Sequence, residues 1–420
     1  MKVHLRSLGC RLNQAEMDAL GRNLLQGGHE LTGDPTHAGD IVVNTCSVTR
    51  EAGADSRALV RELGRRAPAA RITVTGCHAQ LASQEMRSLP NVLRVVGNME
   101  KEGIVDLLDA PSPDAATAIT RKPGMRTRAF VKAQDGCDHA CTFCVTTLAR
   151  GPGRSRPLAE VLAEIQQLHA LNFKEAVLSG VQLGSYGRDL GLKQGLAELL
   201  RAILAETDIP RLRLSSLEPW DLMPDLPDLW QDSRLCRHLH LPLQSGCAAT
   251  LRRMRRRCSP EEFSTLLRDF RARVPHLRVT TDVMVGFPGE DECEYEISRD
   301  FIARQALAGL HVFRFSPRPG TPATRMRRQI PESTKRERST GLRQLGESLA
   351  RDYAREIEGQ TQVVLWEQVA GATPEGFVNV GYTDTWMRVR AIHPRPLSNE
   401  ITAARLGCYR DGEFQATAIL

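Results

Sequence analysis

The chain has no long hydrophobic run. Nothing in its 420 residues approaches the roughly 20 consecutive apolar residues that cross a bilayer. The opening Met-Lys-Val-His-Leu-Arg-Ser-Leu-Gly-Cys lacks the apolar stretch of a secretion signal. These absences argue against membrane insertion and place the protein, as an expectation, in the cytoplasm. No Gly-x-Gly-x-x-Gly follows the first apolar segment, so nothing points to dinucleotide binding. Neither sign of charge dominates. Fifty-six Lys+Arg against 50 Asp+Glu leave a net charge of +6, too small a bias to identify a nucleic-acid partner by itself. With 41% hydrophobic and 25% charged residues the composition is that of a globular protein of two or three domains.

What the chain does have is cysteine, 11 in all. In a reducing compartment these are thiols or metal ligands rather than disulfides. Residues 137 to 144 read Cys-Asp-His-Ala-Cys-Thr-Phe-Cys. The C-x3-C-x2-C spacing of Cys137, Cys141 and Cys144 lets one loop bring three thiolates to one centre. Closed structural sites usually take four protein ligands, so a three-ligand centre leaves a coordination position open. On the residues alone, a zinc loop with His139 or a distant cysteine as fourth ligand remains the alternative.

The first 110 residues alternate short apolar segments with helical patterns. Strands are expected at Val3–Leu8, 41–43, Ile72–Thr75 and Leu93–Val96, with helices at Asn13–Gln26 and about Thr49–Ala67. This rhythm predicts a doubly wound parallel sheet. Cys10, Cys46 and Cys77 each follow one of the first three strands. In such sheets the ligand crevice lies at the strands' carboxyl edge, so three thiols distant in sequence should share one metal site. Core cysteines would fall within strands instead.

Residues 111–127, rich in Pro, Ala, Ser and Thr, read as a linker. A second βα series follows, with strands expected at Ala129–Ala133, Ala176–Ser179, Arg211–Ser215, His238–Leu241, Val279–Val285 and His311–Phe315. Helices are expected at Leu158–Ala170 and Glu261–Arg273. Six units predict an incomplete barrel whose chemistry sits at the strands' carboxyl face, where the three-cysteine loop lies. A charged helix is expected over 332–358. From about 361 the character becomes β-rich, at 363–366, 377–380, 387–390 and Ala416–Leu420, which suggests a small antiparallel barrel of a kind that often holds single-stranded nucleic acid. Arginine crowds at 252–257 and again at 325–338, either as solvated helix faces or as a patch facing RNA.

Together these features resemble the radical S-adenosylmethionine (SAM) methylthiotransferases along nearly the whole chain. Val-Asn-Thr-Cys-Ser-Val-Thr (43–49), Val-Thr-Gly-Cys-His-Ala-Gln (74–80), Gln-Asp-Gly-Cys (134–137), Ser-Ser-Leu-Glu-Pro (215–219), Leu-Gln-Ser-Gly (243–246), Asp-Val-Met-Val-Gly-Phe-Pro-Gly-Glu (282–290) and His-Val-Phe-Arg-Phe-Ser (311–316) look like the branch that acts on N6-threonylcarbamoyladenosine 37 beside the tRNA anticodon. Asp138, 145–147 and Cys258 depart from that family's usual residues. The resemblance implies an α/β fold in three parts. These are an N-terminal methylthiotransferase domain (1–110), a radical-SAM partial (βα)6 barrel (128–358) and a TRAM-like RNA-binding barrel (359–420); because the SAM-cleaving ligands lie in the half-barrel, deleting 361–420 is expected to weaken tRNA binding and stop modification but spare SAM cleavage. It also implies two 4Fe–4S clusters, one on Cys137, Cys141 and Cys144 that binds and cleaves SAM, the other on Cys10, Cys46 and Cys77 that carries the sulfur. SAM contacts are expected from the Phe143 backbone, Gly180, Glu218, Gln244 and Gly286. A tRNA anticodon loop, an electron donor such as flavodoxin or ferredoxin and a monomeric state complete the expectation. Related enzymes act on isopentenyl-adenosine in tRNA or on a ribosomal-protein aspartate, and a non-catalytic iron–sulfur RNA-binding protein is a third reading. Cys236, Cys247, Cys258, Cys293 and Cys408 have no ligand spacing and read as ordinary thiols.

Overall fold

The computed structural model describes residues 1–108 and 126–419, and the linker at 111–127 lies outside them except for its last two residues. The first unit carries strands β1 (Lys2–Ser7), β2 (Glu30–Leu31), β3 (Asp40–Thr45), β4 (Arg71–Gly76) and β5 (Val92–Val95). All pair in parallel, in the order β2-β1-β3-β4-β5. Helices α1 (Arg11–Gln26), α2 (Arg50–Arg66), α3 (Cys77–Leu81), α4 (Ser83–Arg87) and α5 (Ile104–Leu107) cover the sheet. Strand β3 shows why a doubly covered strand has no polar alternation. Ile41 and Val43 cluster with Val60 and Leu63 of α2, while Val42 clusters with Met17, Leu20 and Leu24 of α1. Each such side chain stabilises the fold by about 1.5–3 kcal/mol. Thr49 starts α2 by accepting the Ala52 N–H at 3.1 Å.

The second unit runs β6 (Arg128–Lys132), β7 (Gln134–Asp135), α6 (Thr146–Arg150), β8 (Arg154–Ser155), α7 (Leu158–Ala170), β9 (Glu175–Ser179), α8 (Gly195–Glu206), β10 (Arg211–Leu214), β11 (His238–His240), α9 (Ala248–Met254), α10 (Pro260–Arg273), β12 (Arg278–Val285), α11 (Glu292–Ala303), β13 (Leu310–Arg314) and α12 (Glu332–Ile357). Six of these strands form the expected open barrel. β6, β9 and β10 pair in parallel, as do β11, β12 and β13. Bridges from Leu212 to Leu235 and from Ser216 to His240 join the two halves. The core includes Val131, Leu178, Leu214, Leu241, Val283, Phe263 and Phe270. A capping box at Ser259 and Glu262 and an Asp291 cap start α10 and α11.

The third unit is a closed barrel of β14 (Thr361–Thr373), β15 (Gly376–Thr383), β16 (Arg388–His393), β17 (Ile401–Arg410) and β18 (Glu413–Ile419), ordered β14-β15-β16-β18-β17, with β17 pairing back onto β14. Strand β17 is absent from the sequence expectation. Its Ala-Ala-Arg-Leu centre has helical composition, and only its ladders to β14 and β18 make it a strand.

This barrel is docked on the half-barrel. At the base of the half-barrel, Glu175 is fully buried and accepts from Arg213 Nε at 2.8 Å, with Arg211 Nη2 at 3.0 Å. The same arginines reach the third unit: Arg211 Nη2 donates to the Thr383 carbonyl at 2.9 Å and Arg213 Nη1 to the Asp384 carbonyl at 3.0 Å. Arg237 Nε pairs with Asp384 Oδ2 at 2.7 Å. Removing 361–420 would strip buried guanidiniums of their acceptors, so truncation should destabilise the half-barrel. Glu175→Gln leaves buried arginines without their counter-charge. The expected loss is about 3–5 kcal/mol in urea unfolding, and a loss under about 1 kcal/mol would show that the cluster is not buried in solution.

Candidate metal centres and cofactor cleft

Cys10, Cys46 and Cys77 stand just past the carboxyl ends of β1, β3 and β4, as the strand pattern predicts. The chain turns tightly to bring them together. Gly9 has φ +98°, and a Cβ there would lie 2.7 Å from Cys46 Sγ. Burial raises the Cys46 pKa, and the Cys10 and Cys77 thiols add to the rise. The second trio lies on the loop between β7 and α6. Burial, with Cys144 and Cys141 alongside, pushes the Cys137 thiol up to about 12. Burial raises Cys141 as well, partly offset by the Arg256 guanidinium.

The donor sets fit iron–sulfur clusters better than single ions. Ligands to one zinc at about 2.3 Å crowd within roughly 4 Å of one another. Among the described residues, the only group of metal-binding side chains gathered within 4.8 Å is His240, Asp282 and His311. Both cysteine trios are therefore spread more widely than one ion needs. Backbone N–H groups of His139 and Thr146 point at Cys137 Sγ and Cys144 Sγ, each at 3.4 Å, the kind of hydrogen bond that tunes cluster thiolates. His139 has its Nε2 engaged elsewhere. Its Nε2 accepts from Trp220 Nε1 at 3.0 Å and also contacts the Gln182 amide.

The structure gives the expected SAM-contact residues these neighbours within the protein. Phe143 packs edge-on against Phe287, ring centroids 6.4 Å apart. Glu218 Oε2 accepts from Arg256 Nη2 at 2.6 Å, and Arg256 Nη1 lies 3.8 Å from Cys141 Sγ. Gln244 has φ +75°. Its backbone continues the β12 ladder, with N–H to Asp282 O and O from Met284 N, both at 2.8 Å. What crowds Gly180 is protein: a Cβ there would lie 2.9 Å from Gln134 Oε1. Gly286 has φ +72°, and a Cβ there would lie 2.3 Å from Lys335 Cγ.

The arginine clusters divide. Arg252, Arg255, Arg257, Arg325, Arg327, Arg328 and Arg336 are exposed. Arg256 instead lies over Trp220, 4.3 Å from the ring centre. Arg253 Nη1 pairs with Glu294 Oε1 at 2.8 Å, Lys335 Nζ donates to the Phe315 carbonyl at 3.1 Å, and Arg338 Nη1 pairs with Glu290 Oε1 at 2.8 Å. Those four are engaged by partners within the fold. A cavity of about 610 Å³ lies between the start of α2, the end of β13 and α12, where Arg50, Arg314, Lys335 and Arg343 stand beside Glu51 and Glu332, and Glu332 pairs with Arg314.

Sequence reasoning missed the residues that join the two trios. Arg150, 2% exposed, donates through Nη1 to Glu16 Oε1 at 2.9 Å and to Asp135 Oδ1 at 2.7 Å, and through Nη2 to Asn13 Oδ1 at 2.6 Å. Asn13 Nδ2 donates to the Leu8 and Thr45 carbonyls at 2.7 and 3.2 Å. Lys101 Nζ and Asn44 Nδ2 reach Glu16 Oε2 at 2.5 and 3.0 Å. Gln182 is also missed: the Cys137 thiol donates to its Oε1 at 3.2 Å, and its Nε2 donates to Asp221 Oδ2 at 2.8 Å. The one available signal was polar residues at buried positions of α1, namely Asn13 and Glu16.

Comparison with known proteins fits this geometry. The model of the radical SAM superfamily matches residues 131–302, and that of uncharacterized protein family UPF0004 matches 2–97. Among solved structures, the radical SAM methyltransferase TsrM of Kitasatospora setae, bearing cobalamin and a [4Fe-4S] cluster, shares the fold with TM-score 0.56 and 16% identity over 77% of this chain and 76% of that one. The half-barrel with its three-cysteine loop thus defines a radical-SAM enzyme, a class that uses SAM and a 4Fe–4S cluster. The threonylcarbamoyladenosine tRNA methylthiotransferases MtaB of Bacillus subtilis and Thermotoga maritima are 36% and 35% identical, over 92% and 87% of this chain and 89% and 86% of theirs. The chain belongs to that methylthiotransferase family. The tRNA-2-methylthio-N(6)-dimethylallyladenosine synthase of Geobacillus kaustophilus is 29% identical over 96% of this chain and 80% of its own.

Burial pushes the Glu16 and Glu175 carboxyls up, but Lys101 and Arg150 around the first, and Arg213, Arg211 and Arg128 around the second, hold both well below the usual carboxylate range. A carboxyl depressed on folding confers stability that is complete above its unfolded pKa, about 4.3, and is lost as pH falls toward the folded value. Urea midpoints should therefore be flat, as far as these groups contribute, above about pH 5 and fall steadily below about pH 4.5. In Glu16→Gln the acid slope should be shallower, and an unchanged slope would remove Glu16 from the network.

Proposed function

We propose that this enzyme places a methylthio group on carbon 2 of N6-threonylcarbamoyladenosine 37 in tRNA. The observation that carries the reading is the pairing of two cysteine trios, one in each of the first two units, across the Arg150 network. It is supported by MtaB relatives at 32–36% identity along most of the chain. The 29% identity to a dimethylallyladenosine synthase makes the isopentenyl substrate the weaker choice.

In this reading Cys137, Cys141 and Cys144 hold the SAM-binding 4Fe–4S cluster, and Cys10, Cys46 and Cys77 hold a second. When bound, the first supplies the reducing electron that cleaves SAM, which provides the radical needed to remove an aromatic hydrogen that no side-chain base can take. The protein's own residues shape that event. Gln182, fixed by Asp221 and by Gln134 Oε1 accepting its N–H at 2.8 Å, orients the Cys137 side. Arg256 places its charge beside Cys141 and holds Glu218 at the cleft. Gln244 keeps its side-chain amide unpartnered among the described residues, available to a bound SAM. The Phe143 backbone would meet the SAM adenine, with Gly180 and Gly286 flanking the same face. The Arg50–Arg343 cavity and the exposed arginines would neutralise tRNA phosphates, and the C-terminal barrel would bind the RNA. A flavodoxin or ferredoxin would supply electrons.

Anaerobically reconstituted protein should carry about eight irons, two cubanes by ligand count. Replacing Cys137, Cys141 and Cys144 by Ala should halve the iron and abolish SAM cleavage. Replacing Cys10, Cys46 and Cys77 should halve the iron and leave SAM cleavage. Stoichiometric zinc without iron contradicts the reading. Nucleoside mass spectrometry should find the 2-methylthio derivative of threonylcarbamoyladenosine in wild-type tRNA and its loss in a deletion strain.

A further inference from the structure

The floor of the half-barrel lumen carries more positive charge than its own carboxylates neutralise. Arg11, Arg128, Arg211, Arg213 and Arg278 gather there, against Glu175 and Glu367. Four of the five have protein acceptors or carboxylates: Arg128 with Glu175 and Glu367, Arg211 and Arg213 with Glu175, and Arg278 with the Trp386 carbonyl at 3.0 Å. Even so, Arg278 Nε and Arg211 Nε are buried without an acceptor. Arg11 differs. It is the first residue of α1, next to Cys10, and makes no hydrogen bond or ion pair with any described residue. Its Cζ rests 5.3 Å from the centre of the Trp386 ring, which on its other contacts meets Arg128 and Arg213 at 4.2 and 4.6 Å. An indole face holds a guanidinium in place without consuming its donors. Across the lumen stand His240, Asp282 and His311 from β11, β12 and β13. His240 Nε2 is 3.1 Å and His311 Nδ1 3.6 Å from Asp282 Oδ1, and His240 Nδ1 is fixed by Thr280 Oγ1 at 2.9 Å. Arg11 and Arg278 act electrostatically on His311, whose imidazole burial, His240 and both arginines hold low.

We propose that Arg11, seated on Trp386 beside the second cysteine trio, binds the carboxylate of the threonylcarbamoyl substituent, with His240 and His311 lining the opposite wall for its neutral polar atoms. The proposal rests on the methylthiotransferase reading above. An adenosine carrying an isopentenyl group has no carboxylate, whereas a threonylcarbamoyl group ends in one. A planar guanidinium with all its donors unspent matches a carboxylate in two parallel hydrogen bonds. The surplus of guanidiniums also works against a divalent cation at the His–Asp–His group, so that group is assigned to the substituent instead.

The test uses reconstituted holoenzyme and two anticodon stem-loop RNAs carrying threonylcarbamoyladenosine, one with the free carboxylate and one with the same carboxyl as its methyl ester. Wild type should favour the acid in kcat/KM by about 10- to 100-fold, the range of a charge-assisted pair. R11Q should abolish that preference through a rise in KM for the acid alone, and R11K should keep part of it. Iron content of R11Q at the wild-type level separates lost recognition from a misfolded Cys10 loop. The proposal is overturned if R11Q keeps the acid preference. It is also overturned if acid and ester weaken equally, which would make Arg11 an RNA-phosphate contact or a structural residue. Stoichiometric zinc in the wild type that is lost in D282N would reassign the imidazoles to a metal and overturn their part. Should wild type turn over neither RNA, the reaction assignment fails, and anaerobic binding of the same two stem-loops to wild type and R11Q still decides the pocket: equal affinity for acid and ester in both rejects it.

Discussion

Arg150 is the residue on which the arrangement of the two cysteine sites depends. It sits at the end of the short helix that follows Cys144, and four hydrogen bonds from its two Nη atoms reach Asp135, two residues before Cys137, and Asn13 and Glu16, three and six residues after Cys10. Asn13 passes the constraint on, donating to carbonyls at the ends of β1 and β3, and Thr45 carries it to β4 through the Thr75 carbonyl at 2.6 Å. One buried guanidinium thereby ties the loops of both trios into a single polar frame. Such a network is costly when half satisfied and rigid when complete. Lys101 and Asn44 complete it around Glu16.

The base of the molecule uses the opposite arrangement. There the guanidiniums outnumber the carboxylates, and the closing partners are backbone carbonyls of the loop 383–386 in the C-terminal barrel. That barrel is therefore part of the half-barrel's own structure, with its tryptophan at the bottom of the lumen. RNA held by the barrel and a nucleoside inserted in the lumen would meet the same rigid body. The excess positive charge stays inside the lumen, where a low dielectric strengthens its pull on an anion.

Much of this was legible in the sequence because the signals were local. Parallel strands are written as short β-branched runs, so 41–43 and Val279–Val285 marked strands whose true bounds differ by a residue or two, and Cys10, Cys46 and Cys77 were placed at one edge by strand order alone. The C-x3-C-x2-C loop announced itself by spacing. What was not legible is long-range. Arg150 and Glu16 are 134 positions apart, and nothing in either segment names the other. Arg256 sits in a run of arginines that looks like a surface stripe, yet its side chain is 3% exposed because Glu218 and Trp220 arrive from a different βα unit. Strand β17 carries alanines that prefer helices and is extended only because its neighbours are. The close approach of Gln134 to Gly180 and of Lys335 to Gly286 likewise joins segments that are distant in sequence.

The central claim is that two clusters sit at one fixed separation set by the buried frame around Arg150. Pulsed electron paramagnetic resonance of the reduced, reconstituted enzyme measures it directly. The account predicts two paramagnetic centres with a single narrow dipolar coupling, unchanged by tRNA and broadened in Arg150→Met. One centre alone, or a coupling as narrow in Arg150→Met as in the wild type, would contradict it.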